Sequence, residues 1–330
     1  MAAWLNDNQL WSRAASRVER SWAKFSFDRV AAKLLNTEPL PIQGDSPLFL
    51  SLICHRDIIS YLAAIKSLYV QFGRGRVLVV DDGSLTARDQ GILSYHIPGV
   101  KFVDLKTIQT GPAPRADFFW ERLVKIIQLT SDNYVIQLDA DTLVSDSIPE
   151  VVQCWKDNKS FLLGTDAGKS ISTALDAARM VQGWIKKYGW TNVPAGTEAE
   201  ASLDRLPEAA DRSYVHASAG FAGFARGAFC IADLEWFSTE MSQMLGVQRW
   251  MEYGTEQIAS NYILANSPGA VVLPFPRYAC FEPHLERGDH AFLHFIGSYR
   301  YNDGVYLRRV AEFIARYKKL NIRNESQTAA

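Results

Sequence analysis

Apolar and polar positions divide this chain into short alternating blocks. From residue 48, "LFLSLIC" reads as a buried strand and 58–72 ("IISYLAAIKSLYVQF") as a helix. "RVLVVDD" is a second strand, 84–96 a helix, "VKFVDL" a third strand, 116–130 a helix and "YVIQLDAD" a fourth strand. Strands that are apolar throughout are covered on both faces, and strands alternating with helices pair in parallel. The pattern predicts an α/β fold: a mostly parallel central sheet with helices on both faces.

Beyond residue 160 the alternation weakens. "FLLGTDAG" is another strand, and 169–212, rich in Ala, Lys and Glu, is helical without sheet character. "YVHASAGFAGFARG" returns to strand, helices follow near 228–246 and 254–266, and "AVVLPFP" and "AFLHFIG" are further strands. A basic amphipathic helix spans about 303–320. Upstream, residues 1–36 are expected to be helical. Trp11, Ala14, Ala15, Val18, Trp22 and Phe25 recur every three or four residues, with Arg13, Arg17, Arg20 and Lys24 interleaved. Such a helix can pack on the main domain with its charged face outward, or lie on a membrane surface. Pro39, Pro41, Gly44 and Pro47 mark a linker. The division expected is an N-terminal helical extension and linker (1–45), an α/β domain (46–300) with a helical insertion at 169–212 that is a candidate acceptor region, and a C-terminal helix and tail (301–330).

Composition narrows the class. The chain has 330 residues, 48% hydrophobic and 22% charged, which reads as soluble and globular with a large core. A net charge of −1 gives no global field to recruit nucleic acid. Cys54, Cys154, Cys230 and Cys280 lie far apart with no Cys-x-x-Cys pair, so neither a disulfide framework nor a zinc site is expected, and a reducing cytoplasm is the default. No apolar run reaches about 18 residues, as a membrane-spanning helix requires. The first 20 residues lack the apolar core of a signal peptide.

Ligands of open α/β sheets bind outside the carboxyl ends of the strands. Three such ends here are polar: His55-Arg56-Asp57, Asp81-Asp82-Gly83 and Asp139-Ala140-Asp141. Residues i and i+2 of a strand share a face, so Asp139 and Asp141 would project together, an arrangement that suits a divalent cation. With 21 aspartates in the chain, chance alone gives roughly one Asp-x-Asp, so the motif needs its surroundings. Two nucleotide motifs are excluded. "GTDAGKS" (164–170) has three residues between its glycines where a P-loop has four, and no Gly-x-Gly-x-x-Gly follows the first strand.

Four segments, in order, resemble the GT-A-fold glycosyltransferases, most closely retaining glycosyltransferase family 8, the family of glycogenin and the bacterial lipooligosaccharide galactosyltransferases. "FFWERLVKIIQLTSDNYVIQLDADTLV" (118–144) is similar to the family's helix and metal strand, and "HASAGFAGF" (216–224) to its Asn-Ala/Ser-Gly segment. "YGTEQIASNYIL" (253–264) is similar to its Asp-Gln helix start, and "HFIGSYR" (294–300) to its His-Phe-x-Gly-x-x-Lys. The chain departs from the pattern with Ser218 in place of the Asn, Glu256 in place of the Asp and Arg300 in place of the Lys, and 169–212 has no counterpart.

The resemblance implies a GT-A domain that moves a hexose from a nucleotide-diphosphate sugar, a UDP-sugar, to a saccharide or glycoconjugate acceptor with retention. It implies Asp139, Asp141 and His294 as ligands of a divalent cation, Mn²⁺ or alternatively Mg²⁺, which accept oxygen and mixed oxygen and nitrogen donors. Arg300 would face the diphosphate, with Glu256 and Gln257 beside the reacting sugar. Cys54, His55, Arg56, Asp82, Arg122, Ala140 and Gly297 would line the donor, and Asp166, Ser218 and Gly220 the acceptor side. Two alternatives remain at this stage: an inverting family-2-like transferase, which shares "VVDDGS" and an Asp-x-Asp, and a catalytically silent sugar-nucleotide binder. The expected location is cytoplasmic, with peripheral contact to the membrane through the N-terminal helix.

Overall fold

A computed structural model describes residues 21–111, 119–283, 285 and 288–328. Trp11, Ala14, Ala15 and Val18 of the expected first helix, and the first residues of the helix expected at 116, lie outside them. The described elements begin with α1 (21–31), β1 (Leu48–Ile53), α2 (Ile58–Phe72), β2 (Arg76–Asp81), α3 (Ala87–His96), β3 (Lys101–Asp104) and α4 (Phe119–Leu129). Next come β4 (Val135–Leu138), β5 (Thr142–Val144), α5 (Pro149–Lys156), β6 (Phe161–Gly164), β7 (Ser172–Thr173), α6 (Ala174–Tyr188) and α7 (Ala195–Ala201). The chain continues through β8 (Ser213–Tyr214), β9 (Ala217–Phe224), α8 (Ile231–Leu245), α9 (Val247–Trp250), α10 (Thr255–Ala265), β10 (Val271–Val272), β11 (Tyr278–Cys280), β12 (Phe292–His294) and α11 (Val305–Thr328).

The apolar strands build the seven-stranded sheet β10-β6-β9-β4-β1-β2-β3. Alternate residues of each strand enter different cores. Phe49, Ile53, Val77, Val79 and Ile136 pack on the side of α2 and α11, whereas Leu48, Leu50, Leu78, Val80 and Val135 pack with α4, α8 and α10 on the other. That two-sided burial is why these strands read as continuous apolar runs. Pairing is parallel except at β9, which runs antiparallel to both β4 and β6. The chain leaves β1 toward β2 and β3, then returns to place β4 on the other flank of β1. The crevice between the carboxyl ends of β1 and β4 is thus a topological switch point, where such sheets bind ligands.

A second, three-stranded sheet, β11-β12-β5, stands beside this crevice. The helical insertion is tied at its two ends by the antiparallel pair β7–β8, Ser172 opposite Tyr214. At the N-terminal end, Phe27, Ala31 and Leu34 are buried, and Phe27 stacks on Tyr306 at 4.3 Å between ring centroids. The stripe that packs is therefore 27/31/34, while Trp22 and Phe25 of the expected apolar face point outward, 69% and 57% exposed. Both stripes have helical spacing, so periodicity could not choose between them. Buried Lys66 of α2 anchors the following segment, donating from Nζ to Thr37 Oγ1 (2.9 Å) and the Glu38 carbonyl (2.6 Å) beneath the Tyr317 ring of α11. Burial pushes its pKa down to about 7.

Candidate active site

Strand β4 ends at Leu138, short of the run expected to extend through Asp141, because the chain turns there into β5. Asp139 and Asp141 flank that corner. The amide of Asp139 donates to the Gly220 carbonyl (2.9 Å), and the Asp141 carbonyl accepts from the Phe295 amide (2.8 Å). Thr142 then pairs with His294 across the antiparallel β5–β12 ladder. This register brings His294, far away in sequence, onto the aspartates. Its Nε2 lies 3.2 Å from Asp141 Oδ1 and 3.8 Å from Asp139 Oδ2, while Nδ1 faces Ser218 Oγ at 3.1 Å. Gly220 makes room for the ring: a Cβ there would lie 2.1 Å from His294 Cε1.

Each carboxylate also meets an arginine through its other oxygen. Arg122 of α4, fully buried, bonds Asp139 Oδ1 at 2.5 Å and Glu256 Oε1 at 3.2 Å. Arg300 bonds Asp141 Oδ2, and its other terminal nitrogen lies 3.7 Å from Asp57. The two arginines thus occupy Asp139 Oδ1 and Asp141 Oδ2 and leave Asp139 Oδ2, Asp141 Oδ1 and His294 Nε2 converging. Burial acts to raise the Asp141 pKa, but His294 and Arg300 outweigh it and hold the carboxyl below its usual range. Burial likewise acts against the His294 imidazolium, and Asp141 overcomes it, so that pKa rises well above the ordinary value. Glu256 sits in the first turn of α10, opened by Gly254 in a left-handed conformation (φ +93°) that other residues rarely adopt. Gln257 Oε1 accepts from the Ala219 amide (3.3 Å), joining α10 to β9.

These groups line a cleft of about 660 Å³. Of the residues expected from sequence, Arg122, Asp139, Ala140, Asp141, Ser218, Gly220, Glu256, Gln257, His294, Gly297 and Arg300 line it together. The others lie around it rather than on its wall. Cys54 Sγ bonds Asp57 (3.1 Å), His55 turns its Nδ1 to Asp89 in the α3 capping box (2.7 Å), and Asp82 accepts from Ser84 in a local turn. Arg56 is exposed, and Asp166 pairs with Lys169 on the surface (2.7 Å). Asp57, His216, Tyr253 and Cys280 line the cleft without having been singled out as site residues. Asp57 stood in the polar end of β1, His216 opened the "HASAG" segment and Tyr253 the "YGTEQ" segment; nothing in the local pattern marked Cys280. A second hollow of about 770 Å³, lined by Phe281, His290, Leu293 and the start of α11, includes none of Asp139, Asp141 and His294.

The donor set that the two arginines leave fits a divalent cation. Asp139, Asp141 and His294 each offer one ligand atom, all within 4.8 Å of one another. Two carboxylate oxygens and one imidazole nitrogen match Mn²⁺ well, and Mg²⁺, which prefers oxygen alone, less well. Among the described residues no other three His, Cys, Asp or Glu side chains form such a group.

No protein-family model matches the sequence, and no curated protein matches it. Among solved structures, the chain is similar in fold to the galactosyltransferase LgtC in complex with donor and acceptor sugar analogues, at 14% identity and TM-score 0.48, over 81% of this chain and 95% of that one. The bifunctional glycosyltransferase WbbM is similar at 14% identity and TM-score 0.46, over 82% of this chain and 52% of that one. Mouse xyloside xylosyltransferase 1 is similar at 11% identity and TM-score 0.44, over 76% and 97%.

Proposed function

We propose that the chain is a divalent-metal-dependent GT-A glycosyltransferase that moves a hexose from a UDP-sugar to a saccharide or glycoconjugate acceptor, with retention. The observation that carries the reading is the convergence of Asp139, Asp141 and His294 at the switch point, with one arginine clamped to each aspartate. In this reading the three side chains hold the cation, which when bound supplies positive charge beside the donor diphosphate. Arg300 adds its own charge on that side, where negative charge grows as the sugar leaves. Arg122 fixes Asp139 and Glu256 in one geometry, since a buried guanidinium with two carboxylate partners has little freedom to move. Glu256 and Gln257 lie beside the reacting sugar, with Glu256 opposing the positive charge that develops there. Cys54, Arg56 and Asp82, at the ends of β1 and β2, border the cleft on the side assigned to the nucleoside, whereas His55 is turned to Asp89. Retention proceeds at one face, where the departing phosphate oxygen accepts the acceptor's proton and no separate base is needed.

Incubation with a panel of UDP-hexoses, Mn²⁺ and saccharide acceptors tests this. The expected result is release of UDP and an α-linked product from an α-linked donor, read by proton NMR of the new anomeric centre. A β-linked product would replace the retaining mechanism with an inverting one that uses a carboxylate base.

A further inference from the structure

The helical insertion backs the cleft wall behind His216. His216, immediately before β9, lines the cleft with its side chain 30% exposed. Its Nδ1 is bound to Glu200 Oε1 of α7 at 2.7 Å, and Trp184 of α6 packs against the imidazole at 5.3 Å and 77°. Glu200 is itself buried. The backbone of His216 is fixed as well: its carbonyl accepts from Thr165 Oγ1 (2.9 Å), and Gly168 lies so close that a Cβ there would meet that carbonyl at 2.0 Å. Gln182 of α6 donates to the Ala201 carbonyl (2.7 Å) and Asp204 (2.9 Å), locking α6 to α7 behind the pair. The second ring nitrogen, Nε2, has no hydrogen-bond partner among the described residues. Ser218, two residues along, lines the same wall.

We propose that the insertion 169–212 builds the acceptor subsite, with Glu200 and Trp184 as positioning residues that hold His216 so that Nε2 hydrogen-bonds an oxygen of a saccharide acceptor. The proposal rests on the transferase reading above. A saccharide hydroxyl is recognised by directional polar groups set in a rigid wall, and discrimination is strongest where the site's own polar group would otherwise be left unpaired. Burial lowers the His216 pKa and Glu200 more than restores it, so the imidazole gains protonated character and Nε2 acts as a donor. A pair serving only to neutralise Glu200 would have no need to face the cleft.

The test separates transfer from donor hydrolysis. Methyl glycosides of glucose, galactose and mannose serve as acceptor probes with UDP-hexose and Mn²⁺, and their binding is followed by saturation-transfer NMR. His216→Ala is expected to raise the acceptor KM about 10- to 100-fold, the loss of one hydrogen bond involving a charged group, while donor KM stays within about 3-fold. Glu200→Gln should show the same split to a smaller degree. His216→Gln, whose amide can still donate, should recover part of the affinity and guards against a misfolded alanine variant. Equal losses in hydrolysis and transfer would overturn the proposal, as would the failure of every glycoside to contact the wild-type protein. Absence of UDP-hexose turnover in the wild type would instead remove the reading on which it rests.

Discussion

Gly220 shows how closely one residue governs the cleft. Its hydrogen stands where a methyl would strike the His294 ring, 2.1 Å from Cε1 and 2.2 Å from Nδ1. Gly220→Ala should therefore rotate the imidazole away from Asp139 and Asp141 and cost about 1–3 kcal/mol through overpacking. A thermal melt with and without Mn²⁺ checks it: the variant should melt lower and lose most of the Mn²⁺-induced rise in Tm, and an undiminished rise would contradict the account. At this scale the sequence was informative where chemistry clusters locally. Asp139-Ala140-Asp141 was visible because it closed an apolar run. The cleft-facing role of Asp57 was hidden within His55-Arg56-Asp57, since a polar strand end does not say which side chain turns inward. His55 is the one that turned away, drawn to Asp89 at 2.7 Å.

At the scale of elements, strands set in apolar runs were legible, β10 and β12 among them, and strands without such a run were not. The helix expected over 58–72 forms over those residues, ended by Gly73 in a left-handed conformation. Strands β5 and β11 have three residues each, too few to display a period, yet the β5–β12 register is what delivers His294 to the aspartates. The antiparallel course of β9 was equally hidden, because a strand buried on both faces has the same composition in either direction. The N-terminal helix gives a prediction that separates its two stripes. Phe27→Ala should cost about 3–5 kcal/mol, as for a buried aromatic truncated in a core. Trp22→Ala with Phe25→Ala should leave the melting temperature nearly unchanged. We propose that these outward rings, with Lys24, Arg29 and Lys33 close by in sequence, contact an anionic membrane surface. Co-sedimentation with phosphatidylglycerol vesicles should then fall in the double variant, and equal binding by both proteins would refute that contact. Among the described residues no helix is long and apolar enough to cross a membrane.

On the scale of the whole molecule, two apolar layers clamp a sheet whose strand order reverses beside β1, and the reversal opens the crevice that the charged groups fill. The alternation of strands and helices forecast the layers, and the polar strand ends forecast the edge. Nothing in the pattern forecast the small sheet that walls the crevice or the Glu200–His216 pair that links the insertion to it. Those depend on pairings between segments distant in sequence. The central claim is that Asp139, Asp141 and His294 share one cation on which donor turnover depends. It is tested most directly by UDP release from UDP-hexose in excess chelator, after Mn²⁺ is restored, and in Asp141→Asn. The account predicts no release in chelator, recovery with Mn²⁺, and a loss of several powers of ten in the folded variant, since charge stabilisation by a bound metal is worth several kcal/mol. Full release in excess chelator would contradict it.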